Sequence, residues 1–427
     1  MLRPLGKTHI SGRQTRLMTS AHQAPASRAR NLVLASALAA LYSPAAFAEL
    51  NDNLHPYVAI SYNHENNLLR LGDAERDTQE ASDTFRTVTA GLLADAQVGR
   101  QKFTAQAKVS RVNFDRFSEL DYNGKDAFLT WEWVLGNHLS GRAGTAYSET
   151  LASFADFHEP LKNVRKKTTM FADGAWRFHP SWQVRAGAAT DKYSYDLTQQ
   201  SYNSRTEDSL TAGVDYLPTT GSSIGLQVRN LKSGYPHNEQ LANVSLDNGY
   251  EQNELKLKVN WVQSAVTQVL FLGGWVQRKH ETSKERDDTG INARLIGSWG
   301  VRERLHLTGM LWREYAAAEG SLINSALMTG ASLGAVWDVA AKVSLDATVR
   351  SEKRDFKPFL GTAGAAVLPG SAYTDKTQYA TAGVTYRPIQ AISLNLTAFR
   401  ESRSGSVAAN SNSFKANGIS FSASGIF

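Results

Sequence analysis

The histidines are the first place to look for chemistry in this chain, and their spacing offers little. His9 and His22 fall in a basic leader, His138 and His179 in short turns, and no H-x-x-H or carboxylate cluster with metal-ligand spacing occurs. The chain has no cysteine, which excludes thiolate metal sites, a disulfide framework and a cysteine nucleophile. Serine is abundant, so a Ser/His/acid set could be assembled from distant segments. Yet nothing points to one, and P-loop, dinucleotide and calcium-loop motifs are absent. The sequence reads as a non-enzyme that needs neither cofactor nor metal.

Charged side chains in alternating segments suggest a different kind of work. Carrying the parity of each segment along, one face gathers Lys102, Lys108, Arg185, Arg229, Lys256, Lys258, Arg294 and Arg350, against Glu132, Asp191, Glu254 and Asp346. If that face lines an aqueous lumen, its cationic excess lowers the barrier for an anionic solute or sugar polymer. The alternative is a set of ion pairs bracing a wide polar wall, and a one-residue slip of register would reverse a strand's assignments. Three basic clusters, VRKK (164–167), QRKH (277–280) and SEKR (351–354), stand beside acidic neighbours. They read as solvated charge at loop ends, or more sharply as contacts to lipopolysaccharide phosphate or an anionic polymer.

The elements that must hold such a face are strands. In 252–261, QNELKLKVNW, Leu255, Leu257, Val259 and Trp261 alternate with Glu254, Lys256, Lys258 and Asn260. Period two means one oily and one polar side. The same pattern occurs in 101–110, 181–190, 341–350 and 391–399. These segments run about 10 to 15 residues, the length of a tilted membrane-crossing strand rather than of a sandwich strand. Tight connectors at 96–100, 136–138, 179–181, 218–222, 263–265, 300–304, 339–341 and 387–390 alternate with longer polar ones at 65–82, 118–123, 155–165, 197–204, 235–249, 281–287, 319–325, 356–373 and 404–412. Short periplasmic turns and long outer loops are the asymmetry of an outer-membrane barrel. The spacing predicts an all-β fold: a transmembrane antiparallel up-and-down β-barrel of about eighteen strands.

Targeting agrees with that solvent. Arg28 and Arg30 precede the apolar run at 31–42, and Ala46-Phe47-Ala48 supplies a small-x-small cleavage site, so 1–48 reads as a cleaved signal peptide and 49–427 as the barrel. Met18 is an alternative start. Of 46 basic and 40 acidic residues, six basic and no acidic ones lie in 1–48, leaving 40 of each in the remainder; the net charge of +6 belongs to the leader and implies no nucleic acid. The first alternating segment opens near Tyr57, which leaves no room for an N-terminal plug after the cleavage site. Seven tryptophans (131, 133, 176, 182, 261, 299 and 337) lie close to the proposed periplasmic turns, as an interfacial girdle requires. The chain ends GISFSASGIF, with Phe421 and the terminal Phe427 on one face. They are the expected signal to the barrel-insertion machinery.

Several stretches resemble the EpsL-type outer-membrane β-barrels of exosortase-associated exopolysaccharide loci. They are SYNHENNLLRL (61–71), NFDRFSELDYNG with AFLTWEW (113–133), TLASFADF (150–157), GYPHNEQ followed by DNGYEQNELKLKVNW (234–261), QRKHETSKERDDTG (277–290) and RSEKRDF (350–356). The resemblance samples most of the chain after the leader and implies a role in exporting an extracellular polysaccharide, with periplasmic export components as partners. It carries over no catalytic residue. Beside it stand two other readings of the same architecture: a general or substrate-specific porin for small solutes, and a barrel that holds polysaccharide at the surface without conducting. Outer-membrane lipid and lipopolysaccharide are the expected surroundings in every case.

Overall fold

In hydrocarbon a backbone polar group has no water to bond, so alternating segments of this length are stable only if every strand edge is paired, which demands a closed ring. The computed structural model describes residues 53–427 apart from 238, 242–243, 247, 283, 318–324, 357–372 and 407–410. The expected signal peptide and its cleavage site lie outside the described residues, as does most of the 356–373 connector.

The described chain is almost entirely strand. The first half of the wall is β1 (Leu54–Glu65), β2 (Asp83–Val98), β3 (Gln101–Phe114), β4 (Tyr122–Leu135), β5 (Leu139–Leu151), β6 (Val164–His179), β7 (Trp182–Tyr195), β8 (Arg205–Tyr216) and β9 (Ser223–Gly234). A small hairpin, β10 (Glu239–Leu241) and β11 (Val244–Leu246), rises in the next loop, outside the wall sheet. The wall resumes with β12 (Tyr250–Ser264), β13 (Thr267–His280), β14 (Asp288–Arg302), β15 (Leu305–Ala317) and β16 (Ser325–Ala340). It ends with β17 (Val343–Phe356), β18 (Thr374–Ile389), β19 (Ile392–Ser404) and β20 (Phe414–Ile426). Each wall strand pairs antiparallel with the next, and β20 pairs with β1, from Tyr57↔Ile426 to Glu65↔Gly418, to close an eighteen-stranded barrel. All eight tight connectors fall at one end. Gly99 and Gly136, with φ of 61° and 58°, supply the left-handed backbone that two of these turns require.

Register sorts the side chains onto two faces. On the outer face Leu92, Val109, Leu129, Met170, Leu210, Leu226, Leu255, Leu311 and Leu333 stand exposed, an apolar band that only lipid can cover. At its periplasmic edge Trp131, Trp176, Trp182, Trp261, Trp299 and Trp337 are outward and exposed, and Trp133 packs over Gly141 and Gly174 on the same face. These seven form the expected girdle; Trp275 is outward but nearer the extracellular end, and Trp312 is inward and buried. The chain is a transmembrane barrel of the outer-membrane type.

Among the described residues the one sizeable apolar core lies at the extracellular mouth. Leu68, Leu69, Leu71 and Ala81 from the first loop meet Leu120 of the next, Phe154 of the 152–163 loop, and Val112, Phe114, Tyr122 and Val164 from strand ends. Loops that fold on one another in this way bury their own apolar side chains, as a small soluble domain does.

Candidate channel and its extracellular strap

The inner face is polar, and the structure places all twelve candidate lining residues on it. β12 shows how: Gln252, Glu254 and Lys256 are buried while Leu255 and Leu257, one residue away, are exposed outward. The ladders carry that parity round the ring, so Lys108 faces Asp126, Arg229 faces Glu254, Lys256 faces Gln227 and Gly274, and Arg350 faces Ser332 and Tyr379.

The cationic excess expected of this face is corrected by what stands opposite. Lys108 pairs with Asp126 at 3.4 Å, Arg142 with Asp173 at 2.9 Å, Lys167 with Asp191 at 2.9 Å, and Arg185 with Asp215 at 2.5 Å. Glu254 holds Lys256 at 2.7 Å and Arg229 at 3.6 Å, Arg294 pairs with Glu314, and Arg350 with Glu352 at 2.7 Å. Arg142, Lys167, Asp126, Asp173, Asp215, Glu314 and Glu352 are inward residues that sequence parity alone did not bring forward. Glycines make room for this lattice: a Cβ at Gly213 would stand 2.9 Å from the Arg185 guanidinium, and one at Gly225 would strike the Asp215 carboxylate. The wall is therefore a lattice of mutual neutralisation rather than a cationic tube.

Some charges stay outside the lattice. Among the described residues Lys258 has no carboxylate within ion-pair distance, although Arg185 with Asp215 and Arg142 with Asp173 are its electrostatic neighbours. Also among the described residues, Lys102, at the periplasmic end, is opposite Glu132 in register without an ion pair, and Asp346 lies against Gly383 with no cation within ion-pair distance. The inner face also carries aromatics. Arg350 stacks over Trp312 at 4.9 Å, whose indole N–H donates to Glu352, and Tyr379 stacks on Phe399.

The basic clusters are corrected too. VRKK, QRKH and SEKR lie in the extracellular ends of β6, β13 and β17, not in loops, so their members alternate across the wall. Lys167, Arg278 and Arg354 point in; Lys166, Lys279 and Lys353 point out.

Above the lattice one loop spans the mouth. Asp156, in the 152–163 connector between β5 and β6, accepts hydrogen bonds from Arg354 of β17 at 2.9 Å and from Arg403 of β19 at 2.7 Å. β6 and β17 are nine places apart in the ring of eighteen, so the loop reaches the opposite wall. Arg403 also donates to the Ala155 carbonyl at 2.6 Å, and Arg354 is shared with the wholly buried Asp375 at 2.5 Å. Burial alone would raise the Asp156 pKa, but hydrogen bonds and charge from Arg354 and Arg403 hold it below its ordinary value of 3.8. His158 bonds the Leu69 carbonyl at 3.0 Å, tying the strap to the first loop. There Arg70, in the left-handed region with φ 57°, reaches Glu65 at 2.7 Å and Glu401 at 2.9 Å.

At the seam, Phe421 is outward, between Tyr62 of β1 and Leu396 of β19, and the backbone N–H of Phe427 donates to the Pro56 carbonyl. Among the described residues no group of three or more His, Asp or Glu gathers to hold a metal ion.

No protein-family model matches the chain, and no curated protein matches it. Among solved structures the chain is similar to the outer membrane protein opdK from Pseudomonas aeruginosa, at 10% identity over 88% of this chain and 100% of that one, with a TM-score of 0.46. OccK2 (OpdF) from Pseudomonas aeruginosa is similar at 10% identity over 88% and 99%, with a TM-score of 0.47. A BenF-like porin from Pseudomonas fluorescens Pf-5 is similar at 10% identity over 87% and 97%, with a TM-score of 0.46.

Proposed function

We propose that this barrel is a passive outer-membrane channel for small polar solutes. The observation that carries the reading is the strap: Asp156 latched to Arg354 and Arg403 divides the extracellular mouth, which suits a small solute better than a continuous polymer. The lattice below adds to it, because matched charges and hydroxyls along a wall replace the hydration of a passing polar molecule without trapping it. Export of a polysaccharide, implied by the motif resemblance, would need the strap to leave its latch.

Purified protein in planar bilayers should pass current, and proteoliposomes should swell in monosaccharide faster than in oligosaccharide. Asp156→Ala should raise single-channel conductance several-fold and extend swelling to larger sugars. In cells, a deletion strain should secrete polysaccharide normally and lose uptake of a small solute. Lowered polysaccharide secretion with the synthesis enzymes still present would return the assignment to export.

A further inference from the structure

The outer wall is not the same at its two ends. Where the periplasmic edge of the apolar band carries tryptophan, the extracellular edge carries lysine and arginine. Arg86, Lys192, Lys279, Arg313, Lys376 and Arg400 share the outward face with Leu92, Val184, Trp275, Leu311, Val384 and Leu396 of their own strands. Each lies within four residues of its strand's extracellular end. Among the described residues none of the six has a carboxylate within ion-pair distance, whereas outward Lys125, Lys232 and Lys353 do. An unmatched cationic collar at the outer-leaflet interface is complementary to phosphorylated lipid headgroups and falls within a Debye length of them.

On one sector the collar stands over a groove. Ala186 and Ala188 of β7 and Ala212 of β8 floor a concavity of about 730 Å³. Leu210, Val228, Leu255 and Trp275 form its sides, each more than half exposed. Directly above are the amides of Asn230, Asn253 and Gln277, and then Lys192, Lys232 and Lys279. The acids at that level each have a nearer partner than Lys192 or Lys279: Asp208 takes the Thr190 hydroxyl at 2.7 Å, Glu251, opposite Lys279 in register, takes the Asn230 amide at 2.6 Å, and Glu281 pairs with Lys232 at 3.4 Å. Lys192 and Lys279 are left as the cations of the sector with no carboxylate within ion-pair distance among the described residues. Apolar groove, neutral hydrogen-bonding layer and cation follow one another outward in the order of acyl chain, acylated sugar and phosphate.

We propose that the outer wall over β7–β13 is a docking site for a phosphorylated, acylated glycolipid of the outer leaflet, with its acyl chains in the alanine-floored groove and its phosphates at Lys192 and Lys279. The site faces lipid and is independent of what the lumen conducts.

The test uses the folded full-length barrel in uncharged detergent, titrated with diphosphoryl lipid A, with the same lipid after removal of its phosphates, and with phosphatidylcholine, binding being read by native mass spectrometry. Wild type should bind the phosphorylated lipid about thirtyfold more tightly than Lys192→Gln/Lys279→Gln, the order expected for two interfacial lysines. The dephosphorylated lipid should not distinguish the two proteins. Ala212→Phe, which fills the groove, should weaken lipid A while leaving binding of its acyl-free diphosphoryl disaccharide unchanged. A heat-dependent gel shift establishes that each variant is folded. Equal affinity of wild type and the lysine variant for diphosphoryl lipid A overturns the proposal, as does wild type binding phosphatidylcholine as tightly as lipid A.

Discussion

The extracellular mouth and the middle of the lumen are built from the same residue types, arginine against aspartate or glutamate, and they use them to opposite ends. At the mouth Arg354, Arg403 and Asp375 are almost wholly shielded, and the Asp156 latch beside them sits next to the apolar loop core. In the lumen Arg142, Arg294 and Arg350 are nearly half exposed or more, in pairs that lie open to the passage, although the Glu254–Lys256 pair of the same wall is buried. A shielded pair is costly to break because the remaining charge is stranded in low dielectric. An exposed pair is screened and contributes little to stability, so its value lies in the potential it sets for a passing solute. Position, not composition, separates a latch from a lining.

The largest effect should follow from breaking the shielded set. Arg354→Ala leaves Asp375 buried and Asp156 with half its partners, so a loss of about 3 to 5 kcal/mol in the ordering of the mouth is expected. Arg294→Gln should cost less than about 1 kcal/mol. Urea midpoints, together with hydrogen exchange of 152–163, would measure both. Equal losses for the two variants would erase the distinction between latch and lining.

How much of this was readable from the residues alone follows the same divide. Period-two alternation survives without knowledge of neighbours, so strand number, the eight tight turns and the inward parity of Lys102 through Arg350 could all be read along the chain. Pairing could not, because Asp215 meets Arg185 and Glu314 meets Arg294 only once register between strands is fixed. The strap was further out of reach, since Asp156 and Arg354 are 198 residues apart. Its one local signal is the pair Phe154 and Phe157 in a connector that otherwise reads as polar. Apolar rings in an outer loop ask for a core to bury them.

A smaller effect separates the two regions by pH. Asp156 titrates below its ordinary value of 3.8, so its contribution to docking is complete above that value and is lost as the pH falls through the lower folded-state value. Protection of 152–163 against hydrogen exchange, taken relative to the intrinsic rate at each pH, should therefore stay flat from pH 8 to about pH 5 and fall only below about pH 4. A strap that loosens near neutrality would place its control in a group other than Asp156.

The smallest effect sharpens the lining itself. Lys256 and Lys258 occupy the same face of one strand, yet Lys256 is held by Glu254 at 2.7 Å and Lys258 has no such partner among the described residues. Removing the pair together, Glu254→Gln/Lys256→Gln, subtracts one charge of each sign at one place and should leave the ratio of chloride to potassium permeability where it was. Lys258→Gln subtracts an unmatched charge. At about 4 Å in a water-like medium that charge contributes about 1 kcal/mol, roughly a fivefold fall in the ratio, smaller if the path runs farther from the wall. Reversal potentials in a potassium chloride gradient read both variants on one scale. If the double variant shifts selectivity as much as Lys258→Gln does, the paired charges are not neutral to a passing ion, and the lattice must be counted charge by charge.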